Sequence, residues 1–130
     1  MIKVLCLHGS EQTAEIFKTK TGNLTRKTKL HCSLEFLDAP HLLPLRPGDD
    51  VQLATWYLRI DGRIDFLSLE KSLAFLQEKW ASGGYSGVIG FSMGGALATV
   101  MSTSPSRFPG MRFVIAAGAP DISEMGNVFS

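Results

Sequence analysis

The sequence has no histidine after residue 41 and only two cysteines, Cys6 and Cys32, in 130 residues. Two cysteines without a secretory signal favour reduced thiols in a cytosolic setting over a disulfide framework or a metal site. The N-terminus runs directly into the apolar segment Val4-Leu5-Cys6-Leu7, which is too short for the apolar core of a signal peptide. We therefore expect a cytoplasmic protein that holds neither a cofactor nor a metal ion.

An excess of charge of one sign and long apolar runs are also missing. The 13 Lys and Arg residues and the 12 Asp and Glu residues give a net charge of +1, which does not suggest a nucleic-acid partner. The basic stretch from Lys18 to Lys29 contains no aromatic residue and is typical of a solvated helix face and loop. No apolar run approaches the length of a bilayer span. We therefore predict one soluble domain over residues 1–130 that binds neither nucleic acid nor a membrane.

The most informative segment is Gly90-Phe91-Ser92-Met93-Gly94-Gly95. It follows the apolar run Val88-Ile89 and precedes small and apolar residues at helical spacing, a pattern of strand, sharp turn and helix. Glycines two residues from the serine on either side keep the strand and the helix from clashing. The turn aims the backbone N–H of Met93 at the position where a tetrahedral oxyanion would form. The pattern predicts Ser92 as a catalytic nucleophile, and the alternative is a Gly-rich turn with an incidental serine.

Apolar segments separated by Gly and Pro predict an α/β chain. Strands are expected over residues 2–7, 32–37 and 113–117, besides the one before Ser92, and helices over residues 13–24 and from a cap at Asp65 onward. Residues 41–62 contain Pro, Gly and paired acids, and predict a long irregular excursion with Trp56 and Tyr57 as its only bulky anchor. The alternation predicts a doubly wound, mainly parallel sheet with helices on both faces.

The predicted topology brings two strand ends together. In such a sheet the first and third strands are neighbours, and their carboxyl ends form a crevice. This places His8-Gly9-Ser10 beside Ser92. The backbone N–H of Ser10 is therefore a candidate second oxyanion donor, together with that of Met93.

The sequence shows a nucleophile without its base. Hydrolase triads with this turn run in the order serine, acid, histidine, but all three histidines precede Ser92, and the only later carboxylates are Asp121 and Glu124. We expect His8 to order the strand-end loop, the other two histidines to lie on the surface or in loops, and Asp121 to cap the final turn. His8, Trp56 and Tyr57 are candidate pocket residues, although the two aromatic residues could equally pin the long loop.

Several segments, in this order, resemble the FSH family of serine hydrolases in the α/β-hydrolase superfamily. They are Leu7-His8-Gly9, Phe17-Lys18-Thr19-Lys20-Thr21-Gly22-Asn23-Leu24, Asp38-Ala39-Pro40-His41, Trp56-Tyr57, Gly90-Phe91-Ser92-Met93-Gly94-Gly95, and Arg107-Phe108-Pro109 leading into Phe113-Val114-Ile115. The resemblance implies a small intracellular esterase or thioesterase that forms an acyl-enzyme on Ser92, with Ser10 and Met93 as oxyanion donors and a small acyl ester or thioester as substrate. It carries over no triad acid and no histidine, which in the family lie on a strand and two loops after these segments.

Two alternatives to an active hydrolase stay open. In the first alternative, the chain would be a C-terminally truncated, inactive isoform or remnant that binds acyl ligands or a partner. In the second, the sequence would be an incomplete gene model, whose residues 124–130 depart from the family's character. The nucleus is kept as an alternative compartment. Without later strands, residues 113–117 would form an uncovered apolar edge, so we also expect self-association through that edge.

Overall fold

The computed structural model describes residues 1–120. In chain order its elements are β1 (Ile2–Leu7), α1 (Ala14–Lys20), α2 (Gly22–Thr28), β2 (Cys32–Leu37), β3 (His41–Leu42), β4 (Ala54–Thr55), β5 (Arg59–Ile60), β6 (Arg63–Ile64), α3 (Phe66–Gly83), β7 (Gly87–Phe91), α4 (Met93–Ser102) and β8 (Phe113–Ala117). Four of the strands form a parallel sheet in the order β2-β1-β7-β8. The α/β fold class is therefore confirmed, and β1 and β7 are neighbours as expected.

The sheet order places the helices on both faces. The chain leaves β1 toward one edge, through α1 and α2 to β2, and leaves β7 toward the other edge, through α4 to β8. Because crossovers between parallel strands are right-handed, these two connections lie on opposite faces. On the α1 side, Phe17 contacts Phe36 and Phe91, with ring centroids 5.6 Å and 6.2 Å away. The carboxyl ends of β1 and β7 thus meet at the point where the connections diverge.

Helix α3 forms where its apolar spacing predicts. The Asp65 side chain accepts a hydrogen bond from the backbone N–H of Leu67, and Gly84 ends the helix in the left-handed region at φ 67°. Its buried face consists of Ser68, Leu69, Ser72, Leu73, Leu76 and Trp80. Each large apolar side chain on that face contributes roughly 1.5–3 kcal/mol through burial, so α3 is a main part of the core.

The prediction of one helix over residues 13–24 was wrong. Thr13 caps α1, but α1 ends at Lys20 and a second helix follows to Thr28. The Thr21 hydroxyl donates a hydrogen bond to the Phe17 carbonyl at 2.8 Å. Threonine hydroxyls that bond back to the preceding turn favour a bend in the helix, and Gly22 follows directly.

The excursion over residues 41–62 is more regular than predicted. It contains the antiparallel pair β3–β4, and it ends with β5 and the turn of a hairpin whose second strand is β6. The hairpin turns through Asp61 and Gly62, whose φ angles are 51° and 76°. Positive φ at both central residues is what a two-residue hairpin turn requires, and Asp-Gly is its typical sequence. Among the helices of residues 1–120, none has the length and apolar character needed to cross a membrane.

Candidate active site

Ser92 occupies a strained backbone position between β7 and α4. Its angles, φ 55° and ψ −118°, lie in a region that residues other than glycine rarely adopt. The Ser92 N–H donates to the Ala117 carbonyl at 2.8 Å, and the Ser92 carbonyl accepts from the Ala96 N–H at 3.1 Å. The end of β8 and the first turn of α4 therefore hold this conformation from both sides.

Glycine is required on both sides of Ser92 because backbone approaches backbone there. A Cβ atom at Gly90 would lie 2.1 Å from the Gly94 carbonyl oxygen, and one at Gly94 would lie 2.3 Å from the Leu7 carbonyl oxygen. The start of α4 thus packs directly onto the ends of β7 and β1. The sequence pattern predicted this sharp turn, and the structure has it.

The loop after β1 lies beside the turn. A Cβ atom at Gly9 would stand 3.4 Å from the Phe91 carbonyl oxygen, so residues 9 and 91 are in close contact. Gln12 holds the loop: its side chain accepts a hydrogen bond from the Gly9 N–H at 2.9 Å, and its carbonyl accepts one from the Ala54 N–H at 3.0 Å. Ser10 is exposed, and within residues 1–120 its N–H donates no hydrogen bond to the protein. The structure therefore brings the Ser10 loop and Ser92 together.

His8 is fully buried beneath this loop. Its Nε2 atom lies 3.0 Å from the Ala39 backbone nitrogen, and its Nδ1 atom lies 2.7 Å from the Gly9 carbonyl oxygen. Burial lowers the pKa of His8 below its ordinary value, although the Gly9 carbonyl and the charge of Asp38 act in the opposite direction. The imidazole is therefore neutral at pH 7, and both of its nitrogens have protein partners.

The other two candidate pocket residues, Trp56 and Tyr57, are also buried, with exposed fractions of 0% and 3%. The Trp56 indole N–H donates to the His8 carbonyl at 2.9 Å. Sequence reasoning missed the neighbouring Thr55, whose buried hydroxyl lies 3.1 Å from the Met93 Sδ atom. A threonine before an aromatic pair has no pattern that would indicate this long-range contact. Together these contacts fasten the excursion to the turn.

The remaining histidines lie away from Ser92. His31 is exposed and directly precedes β2, so it lies at the amino end of the parallel sheet, about 20 Å from the carboxyl end where Ser92 is found. The Nε2 atom of His41 lies 2.7 Å from the Ser68 carbonyl oxygen. Within residues 1–120 the Ser92 hydroxyl makes no hydrogen bond. The candidate cap Asp121, and Glu124, lie outside the described residues.

A groove of about 270 Å³ opens on the excursion beside the Ser10 loop. Its apolar wall consists of Leu43, Pro44, Leu45, Val51 and Leu53, and its polar rim of Glu11, Arg46 and Asp49. The Arg46 backbone N–H donates to the Asp49 carboxylate at 2.7 Å, which closes the turn at the rim. In the part of the chain that the structure describes, no group of three or more His, Cys, Asp or Glu residues could hold a metal ion.

The model of the family described as serine hydrolase (FSH1) matches residues 1–127. Esterase OVCA2 of Danio rerio is 28% identical in an alignment 124 positions long, which covers 77% of this chain and 55% of that protein. Esterase OVCA2 of Homo sapiens is 28% identical in an alignment 141 positions long, which covers 88% of this chain and 62% of that protein. The chain spans about half the length of the curated relatives that it matches.

Among solved structures, a single-residue variant of Arabidopsis thaliana SOBER1 superposes with a TM-score of 0.62 at 20% identity. The match covers 98% of this chain and 67% of the SOBER1 chain. At that identity the likeness supports the α/β fold alone. The family match covers almost the whole sequence, and the resemblance found in the motifs is confirmed: the chain belongs to the FSH1 family of serine hydrolases.

Proposed function

We propose that this chain carries the nucleophile of a carboxylic ester or thioester hydrolase and that Ser92 is that nucleophile. The observation that carries the proposal is the strained turn at Ser92, with φ 55°, set directly against the end of β1. Strain in a non-glycine residue persists only where neighbouring contacts enforce it, and it is frequent at catalytic positions. The family and its esterase-named relatives support the reaction class.

The proposed reaction proceeds through an acyl-enzyme. The Ser92 oxygen attacks the substrate carbonyl carbon, its proton passes to a base, and the carbonyl oxygen takes up the negative charge. Collapse of this intermediate breaks the bond to the alcohol or thiol, which leaves with the proton. Water then attacks the Ser92 ester, releases the carboxylic acid and restores the serine hydroxyl.

The proposed oxyanion donors are the backbone N–H groups of Met93 and Ser10. Met93 is the first residue of α4, where N–H groups lack a partner within the helix and the helix dipole favours negative charge. The Ser10 loop lies beside the turn, and the Ser10 N–H has no protein acceptor within residues 1–120. Two such donors are what a developing oxyanion needs.

We propose that the base that activates Ser92 comes from outside residues 1–120. Both nitrogens of His8 have partners, His41 faces the Ser68 carbonyl, and His31 lies at the far end of the sheet. The matches cover only 55% and 44% of two of the relatives, so those proteins have a further part that the match does not include. A residue in the part they have beyond the match, or one from another chain, would take the proton.

We propose that the groove beside Glu11 receives the acyl group of the substrate. Its wall is made of aliphatic side chains and proline, and it opens next to the loop that carries the Ser10 N–H. The buried Trp56 and Tyr57 lie in the core. Of the two roles that the sequence left open, their contacts favour holding the long loop in place over lining the acyl pocket.

An acyl-binding module without turnover is the second candidate function. The observation that favours it is the Ser92 hydroxyl, which has no hydrogen-bonded base within residues 1–120. Such a protein would bind an acyl chain in the same groove and would not form a covalent bond to it. The two functions therefore differ in one measurable event, which is acylation of Ser92.

The test uses p-nitrophenyl acetate and mass spectrometry of the 130-residue protein. If Ser92 is the nucleophile, an acetyl group accumulates on the peptide that contains Ser92, because deacylation without a base is slower still. Ser92→Ala abolishes the adduct, and Ser102→Ala, which changes an exposed serine at the end of the same helix, leaves it unchanged. Binding without acylation would support the module, and acetylation equal in Ser92→Ala would refute the proposed nucleophile.

A further inference from the structure

We infer that His8 is a positioning residue that holds the Ser10 N–H in the direction an oxyanion donor needs. The inference rests on the proposed function, in which Ser10 donates to the oxyanion. It follows from the two hydrogen bonds of one buried imidazole and from the peptide bond that joins Gly9 to Ser10.

The protonation pattern of the imidazole follows from its partners. A backbone N–H can only donate, so the Ala39 N–H, 3.0 Å from Nε2, requires that Nε2 carry no proton. The proton of the neutral ring is therefore on Nδ1. From Nδ1 it is donated to the Gly9 carbonyl oxygen, 2.7 Å away. The ring thus accepts from the loop after β2 and donates to the loop after β1.

The bond to Gly9 determines where the Ser10 N–H points. The Gly9 carbonyl and the Ser10 N–H belong to one planar peptide unit, and in a trans peptide they point in opposite directions. No peptide bond in the described chain is cis. Fixing the Gly9 carbonyl toward the buried ring therefore fixes the Ser10 N–H away from it, toward the exposed side of the loop. Glycine at position 9 would otherwise let this peptide unit rotate easily.

The ring itself has little freedom to move. His8 is fully buried, and its ring lies against the Trp56 ring with a centroid distance of 5.2 Å and an interplanar angle of 33°. The Trp56 indole N–H also donates a hydrogen bond to the His8 carbonyl at 2.9 Å. A peptide unit held by a fixed ring is preorganised, and preorganised donors are what make an oxyanion site effective.

A matched pair of variants separates this positioning role from a general structural one. In His8→Asn the side-chain amide nitrogen can stand where Nδ1 stands and keep the bond to the Gly9 carbonyl, while the Ala39 bond is lost. In His8→Gln the side-chain oxygen can stand where Nε2 stands and keep the Ala39 bond, while the Gly9 bond is lost. Each variant removes one of the two bonds.

The readout is the rate at which a fluorophosphonate probe modifies Ser92 in the full chain. Loss of an oxyanion donor costs about 10²–10³-fold in rate, so we expect His8→Gln to react at least about tenfold more slowly than wild type, and His8→Asn to stay within about threefold. Equal slowing in both variants would overturn the inference, because a merely structural role predicts no difference between them. Ser92→Ala is measured in parallel: if it reacts like wild type, the proposed function fails instead.

Nuclear magnetic resonance of the unmodified protein provides a second measurement that does not depend on how the variants fold. Long-range ¹H–¹⁵N correlations of the His8 ring should show a protonated Nδ1 and an unprotonated Nε2 at pH 7. A proton on Nε2, or rapid exchange between the two tautomers, would overturn the inference even if Ser92 reacts as proposed.

Discussion

The Cα atom of Gly94 packs against the end of the Leu7 backbone so closely that an added Cβ would stand 2.3 Å from the Leu7 carbonyl oxygen. Neither backbone segment can move away to make room for a Cβ atom, because Gly94 lies in the first turn of α4 and Leu7 ends the central strand β1. We expect Gly94→Ala to lower the free energy of unfolding by about 3 kcal/mol or more. Urea denaturation monitored by tryptophan fluorescence measures this change.

Gly22→Ala is the matched control for that prediction. A Cβ at Gly22 would meet only the end of the Arg26 side chain at 3.5 Å, and Gly22 begins a helix. Because alanine is the better helix former, this variant should be neutral or up to about 1 kcal/mol more stable. Similar losses in both variants would show that the close approach of Gly94 to Leu7 is not what requires glycine.

The proposed role of Ser10 depends on its backbone and not on its hydroxyl. Ser10→Ala keeps the N–H and should leave the rate of Ser92 modification within about threefold of wild type, whereas Ser10→Pro removes the N–H and should slow it by about 10²-fold. The rate is measured with a fluorophosphonate probe, after unfolding curves show that both variants are folded. An equal rate in Ser10→Pro and Ser10→Ala would remove Ser10 from the oxyanion site.

The two thiols should differ sharply in reactivity. Burial raises the pKa of Cys6 to about 12, while Cys32 is half-buried at the start of β2. At pH 8, iodoacetamide should modify Cys32 in the native protein and reach Cys6 only after denaturation, because the thiolate is the reactive form. Peptide mapping gives the modified sites. Native modification of Cys6 at the rate seen for Cys32 would contradict the burial of β1.

The same pKa predicts how stability depends on alkaline pH. In the unfolded chain the Cys6 thiol ionises near its ordinary pKa of 9.0, whereas the folded protein keeps it protonated up to about 12. The folded state therefore binds the proton more tightly, and its contribution to stability is complete below pH 9 and falls as the pH rises toward 12. Cys6→Ala should show a shallower alkaline decline in urea unfolding than wild type.

The exposed side of β8 predicts association between copies. In the sheet of residues 1–120 β8 is an edge strand, and its Ile115 is 52% exposed. Unpaired apolar edges recruit further strands. We expect the 130-residue protein to form oligomers at micromolar concentration, Ile115→Lys to be less associated, and Ile60→Lys, which changes a 60% exposed residue on β5, to resemble wild type. A monomer at every concentration in sedimentation velocity would contradict this.

The main elements were predictable because local signals and burial agree. The strand over residues 2–7 contains the apolar run Val4-Leu5-Cys6-Leu7. Helix α3 has both a capping aspartate and apolar residues at helical spacing, and Gly90 and Gly94 mark the turn at Ser92. The break at Thr21 was missed because it depends on a hydrogen bond from a threonine that also fits a helix. The Asp61-Gly62 hairpin, by contrast, has a local signal in the sequence, because Asp-Gly is typical of a two-residue hairpin turn.

The contacts that tie the excursion to the site were beyond sequence reasoning. Thr55 meets Met93 across 38 residues, and Trp56 meets His8 across 48. Both contacts depend on where the fold brings loops together, and no periodicity encodes that. The hydrogen bond between the Ala39 N–H and the His8 ring has the same origin. Ala39 comes close to this ring only because β1 and β2 are paired.

The most direct test of Ser92 as the nucleophile is the site and rate of fluorophosphonate modification in the 130-residue protein, followed by mass spectrometry. We expect slow modification that is confined to Ser92 and absent in Ser92→Ala, because oxyanion donors and binding alone give only about 10³-fold acceleration over water when no base takes the serine proton. Adducts on other residues with Ser92 unmodified, or equal modification of wild type and Ser92→Ala, would contradict the claim that Ser92 is the nucleophile.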